Sequence, residues 1–220
     1  MINIFDIMGP IMVGPSSSHT AGAVRIGRMA RTLLGQAPVK AAIHLHGSFA
    51  DTGVGHGTNK ALVAGLLGMH SDNYDIPNSF KIAEECGLDF SIDEIDLRDA
   101  HPNSVLMELE GADGAQLEIQ ACSVGGGRIL VEKLDGVFLS FSGEYNTLIV
   151  RIQSDQGQLA SVTFALHTTR VPVANMSLNR GGKHGSLVVI ETDEAIPAPV
   201  LELLRQLPGI QGITYYEKEA

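Results

Sequence analysis

The chain has no tryptophan, four tyrosines, seven phenylalanines and two cysteines in 220 residues. Cys86 and Cys122 lie far apart and in no metal-like spacing, so a reducing, cytoplasmic setting is expected. Basic residues are outnumbered, 15 Lys and Arg against 25 Asp and Glu, for a net charge of −10. No basic cluster stands out. Binding to nucleic acid needs clustered Lys and Arg to neutralise phosphates, so that class is set aside. The acidic balance itself reads as ordinary solubility. No stretch reaches the ~20 continuous apolar residues of a membrane span. The apolar start, Met1 to Val13, lacks the positive region and small-residue cleavage site of a secretory leader.

Apolar residues make up 44% of the chain, enough for a real core. Its length allows one large domain or two small ones. With 25 glycines, tight turns and close backbone approaches are expected.

Two polar runs concentrate the chemistry. The first is Gly14-Pro15-Ser16-Ser17-Ser18-His19-Thr20-Ala21-Gly22; the second extends from His46-Gly47-Ser48 to Gly55-His56-Gly57-Thr58-Asn59. Each sets hydroxyls and imidazoles beside glycines and leads into an apolar helical pattern. Backbone N–H groups at a helix start, with hydroxyls beside them, make a socket for a carboxylate. A histidine at its rim moves a proton near neutral pH. A small polar acid such as an amino acid suits both.

The periodicities divide the chain in two. Ala21–Leu34 reads as a helix, capped by Ser18 or Thr20 and stopped by Gly35. Lys40–Leu45 reads as a strand, and Thr58–Met69 as a helix capped by Thr58, whose Ala61, Ala64 and Gly65 predict close packing. Ser79–Cys86 is a short helix. Phe90–Leu97, Ser104–Glu110, Gln116–Ser123 and Arg128–Leu134 read as strands, with Gly125-Gly126-Gly127 as a turn. A boundary is expected near Gly143–Tyr145. Beyond it come strand Asn146–Gln153, helix Gln158–His167, strand Val171–Asn179, a Gly181–Gly185 turn, strand Ser186–Thr192, helix Pro197–Gln206 and strand Ile210–Tyr216. That β-α-β-β-α-β order is the ferredoxin-like arrangement. The expected fold class is α+β, with domains at residues 1–143 and 146–220.

The stretch from Phe5-Asp6-Ile7 through Gly9-Pro10-Ile11-Met12-Val13-Gly14-Pro15-Ser16-Ser17-Ser18-His19-Thr20-Ala21-Gly22 resembles the β chain of bacterial iron–sulfur-dependent L-serine dehydratase. The run from His46-Gly47-Ser48 to Thr58 matches the same family. The tail, through Val173-Ala174-Asn175-Met176-Ser177 to Glu191-Thr192, looks like an ACT domain. The first domain is akin to the allosteric substrate-binding domain of some phosphoglycerate dehydrogenases. The resemblance implies a lyase that converts L-serine to pyruvate and ammonia. It implies a [4Fe–4S] cluster acting as Lewis acid, with its cysteines on the α chain. A cluster needs about three or four thiolates, more than this sequence offers. The implied partners are that α chain and a second copy met through the ACT domain, and the implied effector is serine or a monovalent cation.

On this reading His19 and His56 are the candidate proton-transfer groups, since removing a weakly acidic α-proton needs a base in hydrogen-bond reach. Ser16, Ser17, Ser18 and Thr20, with His46 and Thr58, are expected to bind the substrate. Asp155, Gln156, Gly157 and Asn175 mark the expected effector site of the ACT domain. His44 and His46 alternate on one strand and face one side; with no evident third ligand they read as a polar strand edge, and no metal site is expected. No Gly-x-Ser-x-Gly elbow supports a hydrolase. The rival readings are a regulatory amino-acid-binding module without a catalytic residue, and an assembly scaffold.

Overall fold

Alternating burial, period two along the strands, builds the first half of the molecule; in the second, the strands Asn146–Ile152 and Ser186–Thr192 are buried along almost their whole length. The computed structural model describes residues 12–153, 157–168, 170–181 and 185–218. The chain divides into two units, Met1–Glu132 and Lys133–Ala220. It is α+β throughout, as expected.

In the first unit the sheet order is β2-β1-β3-β4-β5. Its strands are β1 (Pro38–Leu45), β2 (Asp89–Glu94), β3 (Ser104–Gly111), β4 (Gln116–Gly125) and β5 (Arg128–Leu134). β1 is parallel to β2 and antiparallel to β3, and β3 is antiparallel to β4. One face is apolar: Ala41, Ile43, Val105, Met107, Leu117 and Ile119 are all buried. Two helices complete that core, α1 (Ala23–Leu34) and α3 (Thr58–Leu66). They cross in backbone contact. A methyl group at Gly27 would come within 2.3 Å of the Leu62 carbonyl oxygen, and one at Gly65 within 2.2 Å of the Val24 carbonyl oxygen. The small residues of α3 thus do what their pattern predicted.

Three differences from the sequence reading bear on function. The helix expected from Ala21 is preceded by a π-helical turn, Ser17–Gly22, and its cap is Ser16 rather than Ser18 or Thr20. Wider turns of this kind concentrate at functional sites. The second polar run, expected to lead into a helix as a loop, is itself helical: α2 covers Ser48–His56. Thr58 does not cap α3; Gly57 does, at φ 74°, a left-handed conformation that breaks the chain between α2 and α3. Helix α4 (Ser79–Glu85) leads into β2, which stops at Glu94, three residues before the expected Leu97.

The second unit opens with an unpredicted strand, β6 (Val137–Phe141), so the division falls at Glu132/Lys133, ahead of the expected Gly143–Tyr145. Then follow β7 (Asn146–Ile152), α5 (Gln158–Thr168), β8 (Val173–Arg180), β9 (Ser186–Thr192), α6 (Ala198–Arg205) and β10 (Ile210–Tyr216). Sheet order is β10-β7-β9-β8, every pairing antiparallel. This is the split βαβ arrangement read from the sequence. Val162, Ala165 and Leu166 of α5 and Val200 and Leu204 of α6 join Leu148, Val150, Val188 and Ile190 of the sheet in one core. At the entry to this unit Arg151 donates to Asp135 at 2.6 Å.

Candidate functional site

The π-helical turn and α2 meet around one imidazole. The turn is fixed at its start by Ser16, whose Oγ accepts from the backbone N–H of His19 at 3.2 Å. The same Oγ lies 3.3 Å from His19 Nδ1. On the opposite edge of the ring, Nε2 lies 3.2 Å from Ser48 Oγ and 3.1 Å from Thr52 Oγ1. Thr52 also donates to the Ser48 carbonyl oxygen at 2.8 Å. The ring edges against Phe49, with centroids 5.4 Å apart, and against His56, at 4.9 Å and an interplanar angle of 84°.

Helical spacing explains why these groups converge. Ser48, Thr52 and His56 recur every four residues, so α2 turns one polar stripe toward His19. Phe49, fully buried, anchors the helix beneath that stripe. Burial lowers the pKa of His19 from its usual value, and the neighbouring His56 lowers it further; the backbone of Ser48 opposes both. The shift favours the neutral imidazole, the form that accepts a proton.

The other expected residues fall in different places. Ser18 lies on the turn, its hydroxyl near Gly125 of the triple-glycine turn, and Ser17 opens the turn half-buried. Thr20 is 2% exposed and packed over Gly14; Thr58 is fully buried against Gly53. Both threonines face the interior. Among the described residues their hydroxyls have no hydrogen-bond partner. His46 is held elsewhere: its Nδ1 lies 3.2 Å from the donating Leu97 N–H and 3.3 Å from the Ile95 carbonyl oxygen. It fastens the segment after β2 to the end of β1.

His44 points from β1 between Asp93 of β2 and Glu108 of β3. Its burial lowers its pKa, but hydrogen bonds and charge from the two carboxylates outweigh that and raise it. Among the described residues no group of three or more His, Cys, Asp or Glu is arranged to hold a metal ion. The thiols do not fit an iron–sulfur cluster either. Cys86 is exposed at the end of α4, and Cys122 is buried in β4. Burial, with Glu132 nearby, pushes the Cys122 thiol up to about 12, far from the thiolate a cluster needs.

In the second unit, Asn175 donates to the buried Glu191 at 3.0 Å. That face of β9 is opposite the one bearing Val188 and Ile190, which pack in the helix-side core. Gly157 opens α5. Asp155 and Gln156 lie outside the described residues, as do Lys183 and His184 of the Gly181–Gly185 turn. No helix among the described residues is long and apolar enough to cross a membrane.

Two site residues were missed by sequence reasoning: Ser48 and Thr52. The signal for them was the four-residue spacing with His56, hidden among Gly47, Gly53, Gly55 and Gly57.

Comparison with known proteins points one way. The family model for the serine dehydratase beta chain matches residues 3–93, which include His19, Ser48, Thr52 and His56. A Bacillus subtilis (strain 168) protein named "Probable L-serine dehydratase, beta chain" is 38% identical over 96% of each chain. The L-serine dehydratase beta chain of Peptoniphilus asaccharolyticus is 34% identical over 96% of this chain and 94% of its own length. An L-serine dehydratase of Streptomyces coelicolor is 31% identical over 61% of this chain, but only 35% of its own length.

Proposed function

Because this chain belongs to the serine dehydratase beta-chain family, we propose that it is the β subunit of an L-serine dehydratase and supplies the base of the reaction. The carrying observation is His19, an imidazole kept neutral and tethered by Ser16, Ser48 and Thr52 beside His56. Such a ring is both unprotonated and oriented, two requirements for removing a proton from carbon.

The reaction is an α,β-elimination. The imidazole takes the α-proton of L-serine, and the C–H electron pair becomes the Cα=Cβ bond as the β-hydroxyl leaves. The resulting aminoacrylate rearranges to an imine, which water converts to pyruvate and ammonia. This chain's part is to hold the substrate and move the proton. The hydroxyls of Ser16, Ser17 and Ser18, with the N–H groups at the start of the turn, receive the carboxylate. His56, edge-on to His19, is the neighbour through which a second proton passes.

Expelling hydroxide needs a Lewis acid, and the two thiols and the other donors among the described residues do not fit one. We assign a [4Fe–4S] cluster to a separate α chain. The second unit, from its ferredoxin-like order, is assigned as an ACT-type unit that pairs with a second copy and carries regulation. Gly157 and Asn175, with Asp155 and Gln156, are its proposed effector contacts, and a monovalent cation is among the proposed effectors. The cytoplasm is the proposed setting.

The test is reconstitution. The chain is mixed anaerobically, under reducing conditions, with a cysteine-bearing α chain, and pyruvate is measured. Turnover that needs both chains supports the assignment. Titration calorimetry of the separate chain with L-serine addresses the regulatory rival: tight binding here, with His19→Ala and His56→Ala mixtures fully active, would leave only a regulatory role.

A further inference from the structure

Thr52 sits inside α2 with one hydroxyl proton and two acceptors in reach. Its Oγ1 is 2.8 Å from the Ser48 carbonyl oxygen and 3.1 Å from His19 Nε2. A threonine in a helix characteristically donates to the carbonyl four residues back. The proton thus goes to Ser48, and Thr52 shows the imidazole only lone pairs. Two lone pairs facing each other at that distance repel, so Nε2 has to carry a hydrogen and donate it. Ser48 Oγ, 3.2 Å away, rotates to serve as a second acceptor.

The opposite edge of the ring completes the count. Ser16 Oγ already accepts from the His19 backbone N–H. Its own proton is therefore free for Nδ1, 3.3 Å away, which has a lone pair to receive it. With Thr52 donating to the Ser48 carbonyl, this arrangement gives each of these donors an acceptor and sets no lone pair against another. The nitrogen that carries the proton is set by the hydrogen bond the other one makes.

From this proton count we infer that Thr52 is a positioning residue, holding His19 as the Nε2–H tautomer with its basic lone pair on Nδ1, the edge that faces Ser16. The inference rests on the reading of His19 as the base and gives it a direction. On substrate binding the Ser16 hydroxyl turns its proton from Nδ1 to the carboxylate, and the α-proton arrives at the Nδ1 lone pair so released, so substrate approaches on the Ser16 edge. That edge also begins the Ser16–Ser18 hydroxyl run assigned to the carboxylate. Carboxylate and α-proton of one small amino acid are then served from the same side of the ring.

The test reads the tautomer directly. The full chain is labelled with 15N-histidine, and long-range 1H–15N correlations are recorded above pH 7.5, with His19 assigned by its loss in His19→Gln. The expected wild-type pattern has Nδ1 at an unprotonated shift and Nε2 at a protonated one. In Thr52→Val, a near-isostere, both shifts move toward the intermediate values of a tautomer mixture, and Thr52→Ser restores them. In the two-chain assay Thr52→Val lowers kcat by roughly tenfold or more, with KM changed far less. An Nδ1–H signature in the wild type, or unchanged shifts in Thr52→Val, overturns the inference, and the wild-type spectrum decides the tautomer even where a variant folds poorly. The two readings fail separately: a shifted tautomer with full turnover in His19→Ala removes the base role and keeps the role of Thr52, and the converse pattern does the reverse.

Discussion

The imidazoles of His19 and His56 meet edge to face with their centroids 4.9 Å apart. At this separation two positive charges oppose each other, so a proton on His56 makes one on His19 costlier.

That pairing has a pH signature. Burial and His56 both hold the His19 pKa below the ordinary value of about 6.5. The unfolded chain therefore binds this proton first as pH falls. Above pH ~6.5 the ring is neutral in both states and contributes no slope. Below it, the folded state loses stability until pH passes the folded pKa. Following the ring protons of His19 by NMR is expected to give a midpoint below 6.5 that rises in His56→Ala. A midpoint unmoved by that substitution would contradict the coupling.

His44 has the opposite sign. Burial lowers its pKa, but Asp93 and Glu108 prevail and raise it. Its contribution is fully present below pH ~6.5 and is lost as pH rises through the folded value. Both carboxylates are well exposed, so salt screens the effect. Urea unfolding of wild type and His44→Ala at pH 5.5 and 8.5 checks this: the wild type's advantage is expected to be larger at pH 5.5 and to shrink in 1 M salt.

The crossing of α1 and α3 fixes where the π-helical turn sits. Gly65→Ala adds a methyl group 2.2 Å from the Val24 carbonyl oxygen, a backbone atom that cannot swing away. Alanine gains about 1 kcal/mol of helix propensity over glycine, while overpacking of this kind costs about 1–3 kcal/mol. A net loss is expected in urea unfolding, with a fall in turnover as α1 and its turn move. A variant as stable as wild type would show that the helices separate freely.

The cysteines are expected to differ in reactivity. Cys86 is exposed, and Cys122 is buried with its thiol pushed up to about 12. Thiolate is the reactive form. Alkylation of the native chain at pH 8 followed by mass spectrometry is expected to give a single adduct at Cys86, with Cys122 reacting only after denaturation. Fast labelling of Cys122 would reopen it as a ligand.

Much of this was legible in the sequence, and the exceptions have physical causes. Strands β5, β9 and β10 fall where the sequence reading placed them, and Ala61, Ala64 and Gly65 foretold a tight helix crossing. His19 stood out because Ser16 and its neighbours are poor helix-interior residues. Helix α2 did not, because Gly47, Gly53, Gly55 and Gly57 mask its four-residue stripe, and glycine lowers local helix propensity. Only packing, with Phe49 seated in the core, makes the segment helical. The caps were misread for a related reason: the π-helical turn moves the first cap back to Ser16, and Gly57 takes the capping position from Thr58.

One measurement bears most directly on the claim that His19 is the base this chain contributes. Pyruvate formation from L-serine is followed in an anaerobic mixture with an iron-bearing α chain, using wild type and His19→Ala. The account predicts turnover only when both chains are present, and a fall of about 10²-fold or more with His19→Ala. Full activity in the His19→Ala mixture, or turnover by this chain unaccompanied, would contradict it.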